Sequence, residues 1–183
     1  PAIGFTISDG NRVYCKAPAC EGDLFSTRLR RLQTVLGGEF ETNALAVEAT
    51  REGYRLSGYT GLPTYNRGTA RGQYLFVNGR PVRDKLLIGA VRGAYADFLA
   101  RGRHPVVALF VECDGGLVDM NVHPAKTEIR FRDSGLVRGL IVSALRHALA
   151  NAGHRTSTTT TLAALGAARP EPFAPPNAFA QWP

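Results

Sequence analysis

The chain has 183 residues, 44% of them hydrophobic, which is enough for one core of ordinary size and a tail. It contains no apolar run of roughly eighteen residues and no basic start followed by an apolar block, so the sequence argues against a membrane protein and shows no secretory signal. The net charge of +7 favours a polyanionic partner, either nucleic acid or nucleotide phosphates.

The start of the chain and its cysteines indicate a cytoplasmic piece of a longer protein. The sequence begins at Pro1 without methionine, which favours a cut made inside a longer chain. Cys15, Cys20 and Cys113 are odd in number and lack CxxC spacing, which argues against a disulfide framework or a zinc site. We therefore expect a reducing setting, with Cys113 as a small buried residue of an apolar strand.

The first third of the chain predicts two hairpins separated by a helix. Apolar and polar residues alternate on both sides of Asp9-Gly10-Asn11, which predicts a β-hairpin over residues 2–17. Apolar residues then recur at helical spacing from Phe25 to Leu36, where Gly37-Gly38 ends the predicted helix. A second alternating pattern folds back at Glu52-Gly53 and predicts another hairpin.

The middle of the chain predicts a loop, a strand, a turn and a helix. Residues 64–72 are polar and contain glycines, which is typical of a mobile loop. The apolar strand 74–77 ends at Asn78-Gly79, a dipeptide that readily adopts a turn with positive φ. Asp84 can cap the helix that follows, and its apolar residues from Leu87 to Phe98 are expected to face the core.

The rest of the predicted domain adds a buried strand and a long helix. Residues 106–111 form a continuous apolar run, as expected of a central strand covered on both sides. Residues 136–149 have helical periodicity, and we expect that helix to end near Gly153. The order of strands and helices predicts an α/β (α+β) two-layer sandwich, in which helices pack on one face of a mixed sheet.

The composition changes beyond this domain, which we place at residues 1–153. Residues 154–183 are rich in threonine and alanine and hold five of the eleven prolines. Such a segment buries too little apolar surface to offset its ordering entropy, so we expect a flexible Thr/Ala/Pro-rich interdomain linker. Its aromatic residues, Phe173, Phe179 and Trp182, receive no defined role.

The positive charge is concentrated between residues 67 and 103. Eight basic residues stand against two acidic ones there, a local excess of six positive charges. Within this segment, VNGRPVRDK places Arg80, Arg83 and Lys85 on a tight turn and at the head of a helix, which suits contacts with successive phosphates of a DNA backbone. No aromatic stacking ladder accompanies them, so sequence-independent binding is expected. The alternative interpretation is a solvated, charged turn.

The stretch DMNVHPAKTEIRF, residues 119–131, displays one of only three lysines in the chain on a proline turn between strand-like segments. A lysine held in this way can deliver a point charge to a phosphate, and this is the role predicted for Lys126. The alternative is a surface lysine paired with Glu128.

Three residues of this stretch are predicted to support the loop. Asn121 and His123 are expected to hydrogen-bond its backbone, and Pro124 fixes the turn that positions Lys126. A catalytic His123 is disfavoured because no nucleophile or acid partner stands at a recognisable spacing. The sequence predicts no metal site.

Taken together, QYLFVNGRPVRDK and VDMNVHPAKTEIRF resemble the second subdomain of the ATP-binding half of the MutL family of DNA mismatch-repair proteins. The spacing of about forty residues between VNGR and NVHPAK is close to a signature of that family, and a weaker resemblance extends over residues 2–152. It implies a transducer-type fold as in DNA gyrase B, with a left-handed βαβ crossover. Met120 stands where valine is usual, a core exchange that should not disturb the lysine.

The resemblance also implies roles for individual residues. Lys126 would contact the γ-phosphate of ATP held by the adjacent ATPase subdomain, and Arg80, Arg83 and Lys85 would contribute to a DNA-binding groove. The implied cofactors of the full-length protein are ATP and Mg²⁺. The implied partners are DNA, the mismatch-recognition protein MutS and other repair factors, the ATPase subdomain of the same chain, and a second copy in a homodimer. The implied location is the bacterial cytoplasm, at the nucleoid during repair, with no membrane contact.

The chain departs from the family by an absence. No glycine-rich nucleotide-binding segment and no acidic residue suited to activating water is recognisable in it. A lone lysine supplies charge but cannot hold Mg²⁺, the base and the adenine, so we expect no bound cofactor and no ATPase activity from this chain alone. Two alternatives stay open: the transducer subdomain of a type II topoisomerase, disfavoured by NVHPAK, and an independent nucleic-acid-binding module.

Overall fold

A computed structural model describes residues 1–119 and 129–167 of the chain. The strands are β1 (Phe5–Ser8), β2 (Val13–Ala17), β3 (Ala44–Arg51), β4 (Tyr54–Gly61), β5 (Asn66–Arg67), β6 (Gln73–Val77), β7 (Arg80–Val82), β8 (His104–Pro105), β9 (Val107–Cys113), β10 (Val118–Asp119) and β11 (Arg130–Phe131). The helices are α1 (Leu24–Leu36), α2 (Glu39–Asn43), α3 (Lys85–Ala94) and α4 (Ser134–Ala167), with short 3₁₀ turns at Ala70–Gly72 and Gly115–Leu117.

Five strands form the main sheet, in the order β3-β4-β9-β6-β7. Strands β9 and β6 run parallel and the other neighbours are antiparallel, so the sheet is mixed as predicted. Strand β9 pairs on both sides, which confirms the predicted central strand. Gly58 permits its close approach to β4, because a Cβ at this position, with φ of 138°, would lie 2.1 Å from the Ala108 carbonyl oxygen.

Three shorter ladders stand apart from this sheet. Strands β1 and β2 form the predicted first hairpin, and β10 pairs antiparallel with β11. Strand β5 pairs with β8, which joins the predicted loop 64–72 to the segment before the central strand. That loop therefore contains a strand and a 3₁₀ turn, neither of which its polar, glycine-containing sequence indicates.

The larger core lies between one face of the sheet and helices α3 and α4. Apolar side chains of alternate strand residues meet those of the two helices there. The largest fully buried side chains in it are those of Val47, Tyr54, Leu56, Val77, Leu87, Val91, Tyr95, Leu109, Ile141 and Leu145. The sheet and these two helices thus form one layer of strands packed on one layer of helices, as expected from the sequence.

The prediction that the helices lie on one face of the sheet is wrong. Tyr59 of β4 points away from the larger core and joins a second cluster with Phe40 of α2, against which Leu32 of α1 packs. The Tyr59 hydroxyl donates to the Phe25 carbonyl oxygen at 2.8 Å. Helices α1 and α2 therefore cover the opposite face, because β4 carries large apolar side chains on both of its sides.

Two helix ends also differ from the predictions. Helix α3 ends at Ala94, and Phe98, predicted to face the core, is 46% exposed. The cause is Tyr95, whose φ of −97° and ψ of 4° end the helix while its buried side chain bonds to β4. Helix α4 continues past Gly153 to Ala167.

The chain divides into two compact units, Pro1–Ala152 and Gly153–Pro183. The boundary predicted at residue 153 and the linker character of residues 154–183 stay predictions. None of the helices within the described ranges is long and apolar enough to cross a membrane.

Candidate nucleic-acid interface

The basic segment begins at the tight turn that joins β6 to β7. Asn78 has φ of 47° and Gly79 has φ of 79°, while Val77 and Arg80 face each other across the hairpin. Two successive positive φ values are what a two-residue hairpin turn of type I′ requires, and Asn-Gly is the dipeptide that adopts them most readily. The turn predicted from the sequence is therefore confirmed.

The side chain of Asn78 fixes this turn to the central strand. Its Nδ2 donates to the Cys113 carbonyl oxygen at 2.9 Å, and its Oδ1 accepts from the Cys113 backbone N–H at 2.9 Å. The Asn78 backbone N–H also donates to the Val111 carbonyl oxygen at 2.9 Å. Together these three hydrogen bonds hold the base of the cationic turn rigidly against β9. Burial also raises the pKa of the Cys113 thiol.

Asp84, the acidic residue within the cationic cluster, is used by the helix that follows. Its Oδ1 accepts from the backbone N–H groups of Leu86 at 2.8 Å and Leu87 at 3.2 Å, which confirms the predicted cap of α3. The residue is only 8% exposed. Its carboxylate is thus held against the helix N-terminus and forms no ion pair with the neighbouring described cations.

The three predicted DNA-binding residues are exposed. Arg80 lies on β7, Arg83 follows that strand, and Lys85 is the first residue of α3. Within residues 1–119 and 129–167 none of the three forms an ion pair. The ion pairs found there are Arg51–Glu52, Arg55–Glu48 and Arg146–Asp97. The charges of the cluster are consequently available to an external anion.

A groove of about 690 Å³ runs beside this cluster, between the edge of the sheet and α3. Its walls include Tyr74, Pro81 and Ile88, and its cationic lining residues are Arg83 and Arg71. Arg71 belongs to the 3₁₀ turn before β6 and was counted in the charge excess without being assigned to the site. Arg71 and Arg83 line the same groove only in the folded chain, so their spacing in the sequence gave no signal for Arg71.

The other predicted site residues, Asn121, His123, Pro124 and Lys126, lie outside the described residues. The two strands that lead into and out of their segment are described. Val118 pairs with Phe131, and both side chains are buried in the larger core. The segment that carries Lys126 thus departs from and returns to a ladder anchored in the core.

The described residues provide no metal site. Within residues 1–119 and 129–167, no three His, Cys, Asp or Glu side chains group closely enough to hold a metal ion.

Comparison with known proteins relates the chain to one family. A family model described as DNA mismatch repair protein, C-terminal domain, matches residues 32–150. The chain is 64% identical over 170 residues to the DNA mismatch repair protein MutL of Rhodospirillum rubrum, covering 93% of this chain and 27% of the relative. It is 59% identical over 185 residues to MutL of Phenylobacterium zucineum, covering 99% of this chain and 30% of the relative. The chain thus spans less than a third of the length of these curated relatives.

One solved structure supports the fold. The chain resembles the crystal structure of the N-terminal domain of a DNA repair protein with a TM-score of 0.64, covering 81% of this chain and 48% of that one. The sequence identity is 20%, so the likeness bears on the fold alone.

Proposed function

The chain belongs to the MutL family of DNA mismatch-repair proteins, and from this premise we propose that it couples the ATP state of an adjacent subdomain to DNA in mismatch repair. Two surfaces carry the coupling. The turn and helix start at Arg80, Arg83 and Lys85 contact the DNA backbone, and Lys126 contacts the γ-phosphate of ATP. Membership of this family also favours the proposal over the topoisomerase and independent-module alternatives.

The DNA contact rests on one observation, the lack of ion pairs at the exposed cations of the cluster. An unpaired cation presents its full charge to a phosphate, whereas a neighbouring carboxylate would partly cancel that charge and repel the phosphate. The nearest acid in the sequence, Asp84, is occupied by two backbone N–H groups. The cluster therefore presents uncompensated charge from a rigid corner, as phosphate contacts require.

The ATP contact rests on the NVHPAK block and on the anchoring of its two ends. Asn121, His123 and Pro124 support the turn in this proposal, and Lys126 supplies the charge. In this proposal ATP and Mg²⁺ bind the adjacent subdomain, because this chain has no recognisable glycine-rich nucleotide-binding segment. We therefore propose that this chain alone hydrolyses no ATP.

The remaining parts of the proposal concern fold, partners and location. We propose a transducer-type arrangement with a left-handed crossover between the parallel strands β6 and β9. The proposed partners are MutS, other repair factors and a second copy of the full-length protein in a homodimer. The proposed location is the bacterial cytoplasm. The mixed sheet and the family membership support these proposals.

Charge reversal tests the DNA contact. The triple variant Arg80→Glu, Arg83→Glu and Lys85→Glu should lose affinity for duplex DNA of arbitrary sequence. The magnitude of its log–log salt slope should fall by about 0.9 for each phosphate that the variant no longer neutralises. The matched control, Arg51→Glu, Arg55→Glu and Arg146→Glu, makes a comparable charge change at exposed arginines that are ion-paired.

The control should retain most of the slope, and thermal melting should show that both variants are folded. Equal slopes for the wild-type chain and the first variant would contradict the proposal. Equal decreases of the salt slope in both variants would show that only the net charge matters. That result would also count against the proposed DNA contact.

A further inference from the structure

The β5–β8 ladder brings together arginines that are far apart in the sequence. Arg67 pairs with His104, so Arg67 lies beside the segment that contains Arg101 and Arg103. The residues 64–72 and 101–105 hold four arginines and no acidic residue. The nearest acid in the sequence, Asp97, is paired with Arg146 at 2.9 Å. This ladder is therefore a second patch of uncompensated positive charge.

The guanidinium of Arg67 is held in place by an aromatic ring. It lies 4.6 Å from the centre of the Tyr65 ring, and its Nη2 donates to the Tyr65 hydroxyl oxygen at 2.8 Å. Tyr65 is itself buried, and its hydroxyl donates to the Leu36 carbonyl oxygen at 3.3 Å. A guanidinium stacked in this way loses little further freedom when its outward N–H groups bind an anion.

Arg103 is oriented by a neutral side chain. Its Nε donates to the Asn66 Oδ1 at 2.5 Å, and the Asn66 Nδ2 donates to the Pro63 carbonyl oxygen at 2.7 Å. The Asn66 amide is thus held at both ends. It accepts a hydrogen bond from the Nε of Arg103 and not from the terminal guanidinium nitrogens of Arg103. Neither Arg67 nor Arg103 forms an ion pair within the described residues.

Arg71 connects this patch to the proposed DNA contact. The 3₁₀ turn that carries it packs against both β5 and β8, and its side chain lines the same groove as Arg83. Cations therefore follow one another from Lys85 and Arg83 through Arg71 to Arg67 and Arg103.

We propose that the β5–β8 patch is a second phosphate-contact site, with Arg67 and Arg103 as its ligands for the backbone of the same DNA. Planar guanidinium groups match phosphodiester oxygens, and oriented ones bind them at low entropic cost. This inference rests on the proposed DNA contact at Arg80 and Lys85. It implies that the chain contacts a longer stretch of DNA, because the DNA must cross the groove to reach both sites.

The test is a salt titration of DNA binding on duplexes of two lengths. The double variant Arg67→Gln and Arg103→Gln should reduce the salt slope by about 1.8 on a long duplex, as expected when two phosphates are no longer neutralised. On a duplex too short to reach both sites, the variant and the wild-type chain should have the same slope. The control Arg55→Gln and Arg146→Gln makes the same charge change at ion-paired arginines and should leave the long-duplex slope unchanged.

Arg67→Lys separates a phosphate contact from a purely structural role. It keeps the charge while removing the stacked fork, so it should lower the melting temperature and retain the slope. If the double variant fails to fold, Arg103→Gln alone should still reduce the slope by about 0.9.

An unchanged long-duplex slope in the Gln variants overturns the second site, provided that Arg80 and Lys85 variants lower it. If those variants also leave the slope unchanged, or if the wild-type chain does not bind DNA, the proposed function itself fails.

Discussion

The side-chain amide of Asn78 exchanges two hydrogen bonds with the backbone of Cys113, 35 residues further along the chain. The amide thus forms the same pair of hydrogen bonds to β9 that the backbone of a neighbouring strand would form. It does so just beyond the last residues that pair between β6 and β9. The same residue supplies the first positive φ of the turn before Arg80. One asparagine thus sets both the shape of the cationic turn and its attachment to the core.

Substitution of Asn78 should separate these two contributions. Asn78→Gly keeps the positive φ and removes the two side-chain bonds, which should cost about 1–2 kcal/mol of unfolding free energy. Asn78→Ala also strains the turn and should cost about 1 kcal/mol more. Urea unfolding measures both values, and DNA titration should show weaker binding in the same order. Equal unfolding free energies for wild type and Asn78→Gly would show that the Cys113 bonds stabilise nothing.

Substitutions of Asp84 should affect the unfolding free energy and the affinity for DNA independently. Asn caps helices as well as Asp does, so Asp84→Asn should leave the unfolding free energy within about 0.5 kcal/mol, whereas Asp84→Ala should cost about 1 kcal/mol. Both changes remove a negative charge beside Arg83 and Lys85. Both should therefore strengthen DNA binding at low salt. Weaker binding by Asp84→Asn, with its stability intact, would be incompatible with a phosphate contact at this corner.

The buried hydroxyl of Tyr95 makes stability depend on pH at the alkaline end. It donates to the Gly61 carbonyl oxygen at 2.5 Å, and because it has one hydrogen, the Thr60 hydroxyl must donate to it at 2.6 Å. Burial raises its pKa to about 12 from the ordinary value of 10.0. The folded chain therefore keeps the proton where the unfolded chain releases it, and stability is lost as the pH rises from 10 to 12.

This linkage predicts a loss of about 3 kcal/mol of unfolding free energy on passing through that window, which Tyr95→Phe should abolish. At neutral pH Tyr95→Phe should itself cost about 1–2 kcal/mol, because it leaves the Gly61 carbonyl oxygen without this donor. Thr60→Val removes a donor that lowers the pKa, so its loss of stability should extend to higher pH. Urea unfolding at several pH values checks all three, and a Tyr95→Phe curve parallel to wild type would contradict the assignment.

Local sequence signals predicted the features that depend on a few neighbouring residues. The Asn78-Gly79 turn, the Asp84 cap and the central strand near Val107 follow from turn chemistry, capping and apolar runs, and the structure confirms each. These features need no knowledge of distant contacts, because their causes lie within a few residues.

Features that depend on contacts across the chain were missed or wrong. Tyr59 and Phe40 meet only once the sheet is formed, so the second helical layer had no local signal. The exposure of Phe98 follows from the bond of Tyr95 to Gly61, 34 residues earlier. Arg71 likewise joins Arg83 only through the fold. Hydrophobic periodicity predicts which residues are buried, but it does not identify the distant residues that cover them.

The three lysines of the chain provide a matched set for the last prediction. In the full-length protein, Lys126→Ala should lower ATP hydrolysis on the order of 10²-fold, as expected when one charge that stabilises the transition state is removed. Lys85→Ala should weaken DNA binding and leave DNA-independent hydrolysis unchanged. Lys16→Ala, at an exposed position of β2, should change neither.

The 183-residue chain should show no turnover with or without Lys126, because one lysine cannot hold Mg²⁺ and the nucleotide. Normal hydrolysis by full-length Lys126→Ala would remove this lysine from the ATP site. Lys126-dependent turnover by the chain alone would instead place a complete site within it. If Lys85→Ala and Lys126→Ala each impair only their own reaction, DNA and ATP contact separate surfaces of one domain, which is the arrangement that coupling between them requires.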